Sequence, residues 1–401
     1  MDAPVTRSPR FPGLPLALLF LTAALGALVL FGILGVGRGG SVFAHDMRYL
    51  YGAGAVWLQG ASPYDLETFK AAMLALLGVA SDSFAYPPNA FPLAAILGSG
   101  SPARADLLIG LLNLMALAGL ALFVRAAVAA AGDGRDRLLV LVTIAVLVGN
   151  PFTAHVFWMG QTTLIAAALV YGAWLCAHRR MDVLAGVLLG LSAFKPQIAF
   201  LVGLWFLLDR RWLLLAAAAG ATLAASAWPI ATGGLAGSWL AWAATLHEYQ
   251  STGFNTVTFR HVFGLRSLLA GLGLPAPSLL PAGVAALIGL YLMRRRYDEI
   301  WLVNAVLVIS FLMLFAHDYD LAPVAVIAAP LLTVARGRPG VLVLLCLLAA
   351  VIFFPQRVWQ ALDLAPAARS RELALLALLG LYLRLCRKPA TARAPRAAAP
   401  I

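Results

Sequence analysis

Residues 42–88 read VFAHDMRYLYGAGAVWLQGASPYDLETFKAAMLALLGVASDSFAYPP. This is the longest stretch of the chain that cannot be a membrane span. It follows directly on an apolar run, 14–36, which exceeds the roughly 18–20 residues that crossing a bilayer requires. Within it Met47, Leu50, Gly54, Trp57 and Leu58 recur at helical spacing, with Asp46, Tyr49 and Gln59 elsewhere. That pattern predicts an amphipathic helix lying on the membrane interface. A turn, Gly60-Ala61-Ser62-Pro63, leads to a second short helix over 65–77. After Tyr86-Pro87-Pro88 comes a short apolar piece, 89–98. At about 1.5 Å per residue it falls far short of a core about 30 Å thick, so it reads as re-entrant or interfacial.

Outward from this stretch the chain is mostly hydrocarbon-compatible. Of 401 residues, 62% are apolar and 11% charged, against about 25% charged in a soluble domain. Further apolar runs cover 105–131, 138–149, 161–177, 183–208, 212–231, 276–293, 299–316, 321–335, 339–354 and 372–386. The fold class is therefore an all-α polytopic membrane protein. Residues 1–13 and the basic tail 387–401 are expected to lack a fold, leaving one transmembrane domain over 14–386 with a structured segment at 37–88. The first apolar run is too long for a signal-peptide core. The three cysteines have no C-x-x-C spacing, which predicts neither a metal site nor a disulfide framework.

The net charge of +12 does not point to nucleic acid, because the arginines sit in short clusters between apolar runs. Placing Arg7/Arg10, Arg135/Arg137, Arg179/Arg180, Arg210/Arg211, Arg294–Arg296, Arg336/Arg338 and Arg387/Lys388 in the cytoplasm fixes a topology. The run 183–208 then begins and ends on one side. It must be a hairpin of two half-spans with Lys195-Pro196 at its tip, and backbone of that kind is tolerated only where it lines a cavity or is buried in protein. The count becomes about twelve spans and half-spans with both termini inside. The opposite face receives residues 37–88, 149–161, the Lys195 tip, the long loop 232–262, residues 317–320 and 355–370.

Candidate chemistry collects on that face. Asp46 reads either as a helix N-cap or as a general base; beside an apolar cavity its pKa would tend to rise. Lys195, inside an apolar run, faces a cavity or an anionic partner, the alternative being a side chain that snorkels to the interface. His317-Asp318-Tyr319-Asp320 is a polar turn that places His317 where it could donate to a phosphate or a sugar hydroxyl. Arg260-His261 supplies donors suited to a phosphate at the interface, or pairs with lipid headgroups. Gln161 caps a helix or binds a sugar hydroxyl. No phosphate-binding glycine loop, dinucleotide fingerprint, zinc spacing or nucleophile elbow is present, and no soluble nucleotide-sugar domain. A substrate donor would therefore arrive through the membrane.

Several of these pieces, in this order, resemble glycosyltransferase family 87 of the GT-C superfamily, the polyprenyl-phosphate-mannose-dependent mannosyltransferases. They are His45-Asp46 with Tyr49 and Ala53, Gly60, Pro63-Tyr64, Tyr86-Pro87-Pro88, Gly149-Asn150-Pro151 with Gly160-Gln161, Ala185-Gly186 with Lys195-Pro196, Arg210-Arg211-Trp212, and His317-Asp318. The resemblance covers roughly residues 14–335. It implies a GT-C fold in a bacterial inner membrane with the active site on the extracytoplasmic face, and Asp46 as catalytic base. It further implies inverting transfer of a sugar, mannose, from a polyprenyl-phosphate donor to a glycolipid or polysaccharide acceptor. No metal or other cofactor is expected: a lipid monophosphate calls for Lys, Arg or His, and the far face lacks a carboxylate cluster. Lys195, His317, Arg260 and His261 would hold the donor phosphate; Tyr49, Tyr86, Gln161 and Asp318 would shape the sugar and acceptor pocket. Two other classes fit the same residues. One is a transporter or flippase of polyprenyl-linked sugars, which should show an inverted repeat that the sequence lacks; the other is a non-catalytic binder of them.

Overall fold

The computed structural model describes residues 13–37, 43–79, 83–133, 136–354, 358, 359, 362, 364 and 369–388. The expected unfolded termini thus lie largely outside the described residues, as does most of 355–370. The tail is ordered further than expected at its start. Arg387 bridges to Tyr297, and the Lys388 amide donates to the Arg296 carbonyl at 2.7 Å.

The described chain is overwhelmingly helical. In order, the helices are α1 (Gly13–Ile33), α2 (Met47–Leu58), α3 (Leu66–Leu77), α4 (Phe91–Gly98), α5 (Pro102–Ala131), α6 (Arg137–Gly149), α7 (Pro151–Met159), α8 (Thr163–His178), α9 (Asp182–Ser192) and α10 (Pro196–Leu208). There follow α11 (Trp212–Ala225), α12 (Ala227–Gly233), α13 (Leu235–Tyr249), α14 (Leu265–Gly271), α15 (Leu280–Leu292), α16 (Leu302–Met313), α17 (Asp318–Ala335), α18 (Pro339–Phe353) and α19 (Ser370–Leu385). Two short strands, β1 (Val262–Phe263) and β2 (Ala316–His317), pair antiparallel with Val262 opposite His317.

Among the described residues α1, α5 and α17 are each long and apolar enough to cross a membrane. The bent pairs α6–α7 (50°) and α11–α12 (55°) bring that number to five if each counts as one span, and seven further apolar helices are only 10–17 residues long. By length, three to five spans are present among the described residues, against the expected count of about twelve spans and half-spans; the difference lies in the short helices. Leu16, Leu19, Phe20, Leu111, Met115, Leu240, Leu292 and Leu347 all project outward, which suits a hydrocarbon environment and would be costly in water.

Local chemistry sets the breaks. The Asn150 side chain accepts from the Thr153 amide at 3.0 Å and donates back to the Leu147 carbonyl at 2.7 Å, while Pro151 takes the first position of α7. One residue thus ends α6 and caps α7. Asp65 caps α3 through the Thr68 amide at 2.8 Å, and Gly78 closes that helix at φ 63°.

The hairpin expected over 183–208 is present in direction. Arg211, just before α11, binds Asp182 at the start of α9 and the Ala177 carbonyl at 3.0 Å. The chain therefore leaves and returns on one side, turning at residues 193–195. The two halves do not pack closely on each other. Instead α9 lies against α8 and α11, and α10 against α16. In α8 the two ends differ in the same way, with Thr163 at one end bonded to Lys195 and Arg179/Arg180 beyond the other.

The helix α2 departs from its expected position. Met47 and Leu50 through Trp57 are all buried, so it lies inside the protein rather than on an interface. The cause is glycine spacing. Gly54 packs its backbone on α4 at the Ala94 carbonyl, and Gly98 of α4 packs back on the Tyr51 carbonyl and Ala55 amide. Gly54, on the apolar face, admits the α4 backbone, and Gly52, on the opposite side, admits Met73 of α3; the apolar pattern alone does not reveal this. Replacing Gly54 by Ala would drive the new methyl into the Ala94 carbonyl oxygen. We expect a loss of about 1–3 kcal/mol, read as a lower thermal midpoint of the detergent-solubilised protein; an unchanged midpoint would refute this packing.

The loop expected over 232–262 also differs, since α13 occupies 235–249. It presents Trp242, Leu246 and Tyr249 to the cavity.

Candidate active site

A cavity of about 1120 Å³ opens where 43–46, the ends of α7, α10 and α13, and residues 254–263 meet. Asp46 reaches it through backbone sewing. The Ala44 amide donates to the Trp158 carbonyl at 2.8 Å and the Asp46 amide to the Met159 carbonyl at 3.0 Å. Gly160 permits this approach: it sits at φ 65°, and a Cβ there would lie 2.7 Å from Met47 Cβ. A side chain at that position would push the Asp46 turn away.

Asp46 stands at the N-cap position of α2, yet its carboxylate makes no cap hydrogen bond. Its Oδ2 accepts from Gln161 Nε2 and its Oδ1 faces His45 Nδ1 at 3.2 Å. Burial pushes this carboxyl upward, but the hydrogen bonds from His45 and Gln161 and the nearby His45 and His317 outweigh it. The net result lies below the ordinary carboxylate range. The sequence-based expectation of a raised pKa is thus corrected, because the partners that lower it come from residues 45 and 161 and not from composition. His45 moves the other way, raised chiefly by its bond to Asp46. Removing His45 takes away both a hydrogen bond and a charge that favour the Asp46 carboxylate. Its pKa then rises, so any activity needing the ionised form is lost at higher pH as pH falls. We expect the acid limb of the pH–rate profile of His45→Ala to move to higher pH; a limb that stays in place would separate His45 from Asp46.

Around Asp46 the wall is polar. Tyr86 Oη lies 3.4 Å from Gln161 Oε1 and 3.2 Å from Thr162 Oγ1. The fully buried Asn113 of α5 donates to the Gln161 carbonyl at 3.0 Å. Gln161 is therefore held from both ends and aimed at Asp46. Tyr49 lines the cavity with its ring 5.9 Å from that of His45.

Lys195 reaches the cavity wall but is committed to a partner. Its Nζ lies 2.6 Å from Asp320 Oδ1 and 2.7 Å from Thr163 Oγ1, and it sits over the Tyr319 ring at 5.0 Å. Asp320, with no exposed surface, also accepts from Gln197 Nε2 at 3.3 Å and from the His317 amide at 3.1 Å. The lysine's charge is thus answered inside the protein. Asp320 had been part of a polar turn on the sequence; that it would face Lys195, 125 residues away, has no local signal.

His317 lines the cavity, stacked on Tyr319 with centroids 5.1 Å apart. Burial holds its imidazole below the ordinary histidine range, so at pH 7 it meets a ligand as a neutral ring. Arg260 and His261 also line the cavity, with Arg260 exposed to it. Asp318 does not line it. It lies buried behind His261, whose Nδ1 is 2.9 Å from Asp318 Oδ2, and near His155 Nδ1 at 3.9 Å. The expected pocket role of Asp318 is corrected accordingly: β1–β2 pairing turns its side chain behind the wall. His155, Tyr249 and Tyr319 line the cavity and were not singled out on the sequence. His155 was hidden because 151–159 forms a helix where a loop was expected.

The rest of the lining mixes apolar side chains, among them Phe200, Leu246, Phe254, Leu279, Leu280 and Leu314, with Gln250, Asn255, Arg266 and Ser278. The cavity thus holds a carboxylate, basic side chains and hydroxyls together with a larger apolar surface. Among the described residues no three His, Cys, Asp or Glu side chains are grouped as ligands for a metal ion.

No curated protein is matched by the sequence. The profile of glycosyltransferase family 87 matches residues 84–317, more than half of the chain. The match includes Tyr86, Gln161, Lys195, Arg260, His261 and His317, and leaves Asp46, Tyr49 and Asp318 outside it. An all-helical membrane architecture and this match together place the chain: it belongs to glycosyltransferase family 87, within the GT-C superfamily.

Proposed function

We propose that this glycosyltransferase moves a sugar, mannose, from a polyprenyl-phosphate donor to a hydroxyl of a glycolipid or polysaccharide acceptor on the extracytoplasmic face of a bacterial inner membrane. The observation that carries the reading is what one cavity brings together: the carboxylate of Asp46, the basic side chains Arg260 and His317, and a set of apolar side chains, Phe200, Leu246, Phe254, Leu279, Leu280 and Leu314, suited to an isoprenoid chain.

In this mechanism the acceptor hydroxyl attacks the anomeric carbon from the face opposite the lipid phosphate. The new carbon–oxygen bond forms as the bond to the phosphate oxygen breaks, with inversion. Asp46 takes the hydroxyl proton, and Gln161, donating to its other oxygen, holds it in register. Negative charge grows on the leaving phosphate, and Arg260 and His317 supply donors to it, with His261 behind Arg260 accepting from its Nε. Lys195 holds the wall by binding Asp320. Tyr49 and Tyr86 bound the sugar. No step requires a metal ion.

The test uses purified protein in lipid, labelled polyprenyl-phosphate mannose and a membrane lipid extract, with and without chelator. Transfer to a lipid product that survives chelator is the expected result. Transfer abolished by chelator and restored by a divalent ion would overturn the metal-free step, and absence of donor binding would overturn the choice of donor.

A further inference from the structure

We propose that the N-terminal end of α19 sets the position of the cavity cation Arg260, with Arg369 and Arg371 as positioning residues. This rests on the reading of Arg260 as a ligand of the donor phosphate. Neither arginine falls within the family match, which ends at residue 317, and the last helix carries no motif of its own.

Two sets of contacts make the connection. The first is a relay of side chains. Arg371 Nη1 lies 3.6 Å from Asp318 Oδ2, and the same oxygen lies 2.9 Å from His261 Nδ1. Arg260 Nε donates to His261 Nε2 at 3.1 Å. The two ends of the imidazole agree. With its Nδ1 proton given to Asp318, Nε2 carries the lone pair that receives the Arg260 N–H. His261 is therefore a spacer of fixed orientation between a buried carboxylate and a cation at the cavity. Arg371 is only 4% exposed and is itself fixed, donating from Nη2 to the Phe354 carbonyl at 2.8 Å and lying over the Phe152 ring at 4.8 Å.

The second set grips the backbone on both sides of Arg260. Arg369 donates from Nη1 to the Val262 carbonyl at 3.1 Å and from Nη2 to the Thr258 carbonyl at 3.2 Å. The loop is thus held two residues before and two after Arg260, while the Asp318 amide donates to the His261 carbonyl at 2.9 Å. Arg369 also pairs with the buried Glu372 at 3.3 Å, which ties the grip to α19. A planar guanidinium suits this two-carbonyl clamp, and a lysine would not reproduce it.

The experiment compares full-length protein in lipid nanodiscs binding two probes, a polyprenyl monophosphate and the matching polyprenol. Affinities are read from the tryptophans, of which Trp158 and Trp242 line the cavity. The ratio of the two affinities isolates the phosphate contact, and general loss of structure would weaken both probes alike. Arg260→Ala is expected to lower the ratio about tenfold, the loss of one charge-assisted contact. Arg371→Gln and Arg369→Gln should each lower it by a similar factor, with the polyprenol affinity kept and little further loss when combined with Arg260→Ala. In turnover the same variants should lower kcat/KM for the lipid-linked donor by about the same factor as one another, because the charge that Arg260 answers grows as the phosphate leaves.

If Arg260→Ala lowers the ratio and the two α19 variants do not, the positioning role is overturned and the reading of Arg260 stands. A ratio unaffected by Arg260→Ala would overturn that reading and this one with it. Should Arg371→Gln fail to fold, Arg369→Gln, on a side chain 12% exposed against 4% for Arg371, carries the comparison alone.

Discussion

Asp46→Asn should bind the lipid-linked donor as the wild type does and turn it over about 10²–10⁴-fold more slowly, the range that a positioned general base supplies. The amide copies the shape of the carboxylate and can still meet Gln161 and His45, so the cavity should keep its form. What it loses is the capacity to take a proton. The effect should therefore appear in kcat, with KM for the donor little changed, because the proton leaves the acceptor only as the new bond forms. Single-turnover transfer with prebound donor separates this from slow product release. Asp46 also titrates below the ordinary carboxylate range, so the wild-type rate should stay flat through neutral pH and fall only in acid. A variant that keeps the wild-type rate would remove Asp46 from the chemistry, and a variant that loses donor affinity instead would make Asp46 a binding residue.

The features that were legible in the sequence are those written in contiguous residues. Apolar runs gave the helices, Asp65 and Gly78 bounded α3, and the arginine clusters gave the hairpin whose ends Arg211 and Asp182 join. Residues that the sequence placed on one face do share one cavity: Asp46, Tyr86, Gln161, Lys195, Arg260, His261 and His317 all line it. Pairing within that cavity was not legible. Nothing local says that Gln161 meets Asp46 across 115 positions, or that Lys195 meets Asp320 and not an open space. The burial of α2 was missed for a related reason. Periodicity reports one apolar face, whereas Gly54 on that face meets the α4 backbone at Gly98 and Gly52 on the other side meets Met73 of α3. The helix over 235–249 was read as loop because Gly233-Gly234 and Gly237-Ser238 stand at its start and His247-Glu248 near its end, which interrupt the apolar run.

Lys195→Met is expected to destabilise the fold by about 3–5 kcal/mol, since it strands a buried carboxylate. Asp320 has no exposed surface, and after the change only Thr163, Gln197 and the His317 amide remain to satisfy it. Asp320→Leu alone should cost a similar amount, by leaving the ammonium of a side chain that is 5% exposed. The pair is coupled, so the double variant Lys195→Met/Asp320→Leu should recover most of the loss, because two buried charges disappear together and two apolar chains of comparable volume replace them. Thermal midpoints of the four proteins in one detergent give the coupling directly. Donor affinity in the double variant then decides what Lys195 is for. If the lysine serves only to hold Asp320, and through it the His317 amide and the start of α17, the stable double variant binds polyprenyl phosphate nearly as the wild type does. A double variant that is folded but no longer prefers polyprenyl phosphate to polyprenol would return Lys195 to the phosphate site and make Asp320 the group that keeps it in place between turnovers.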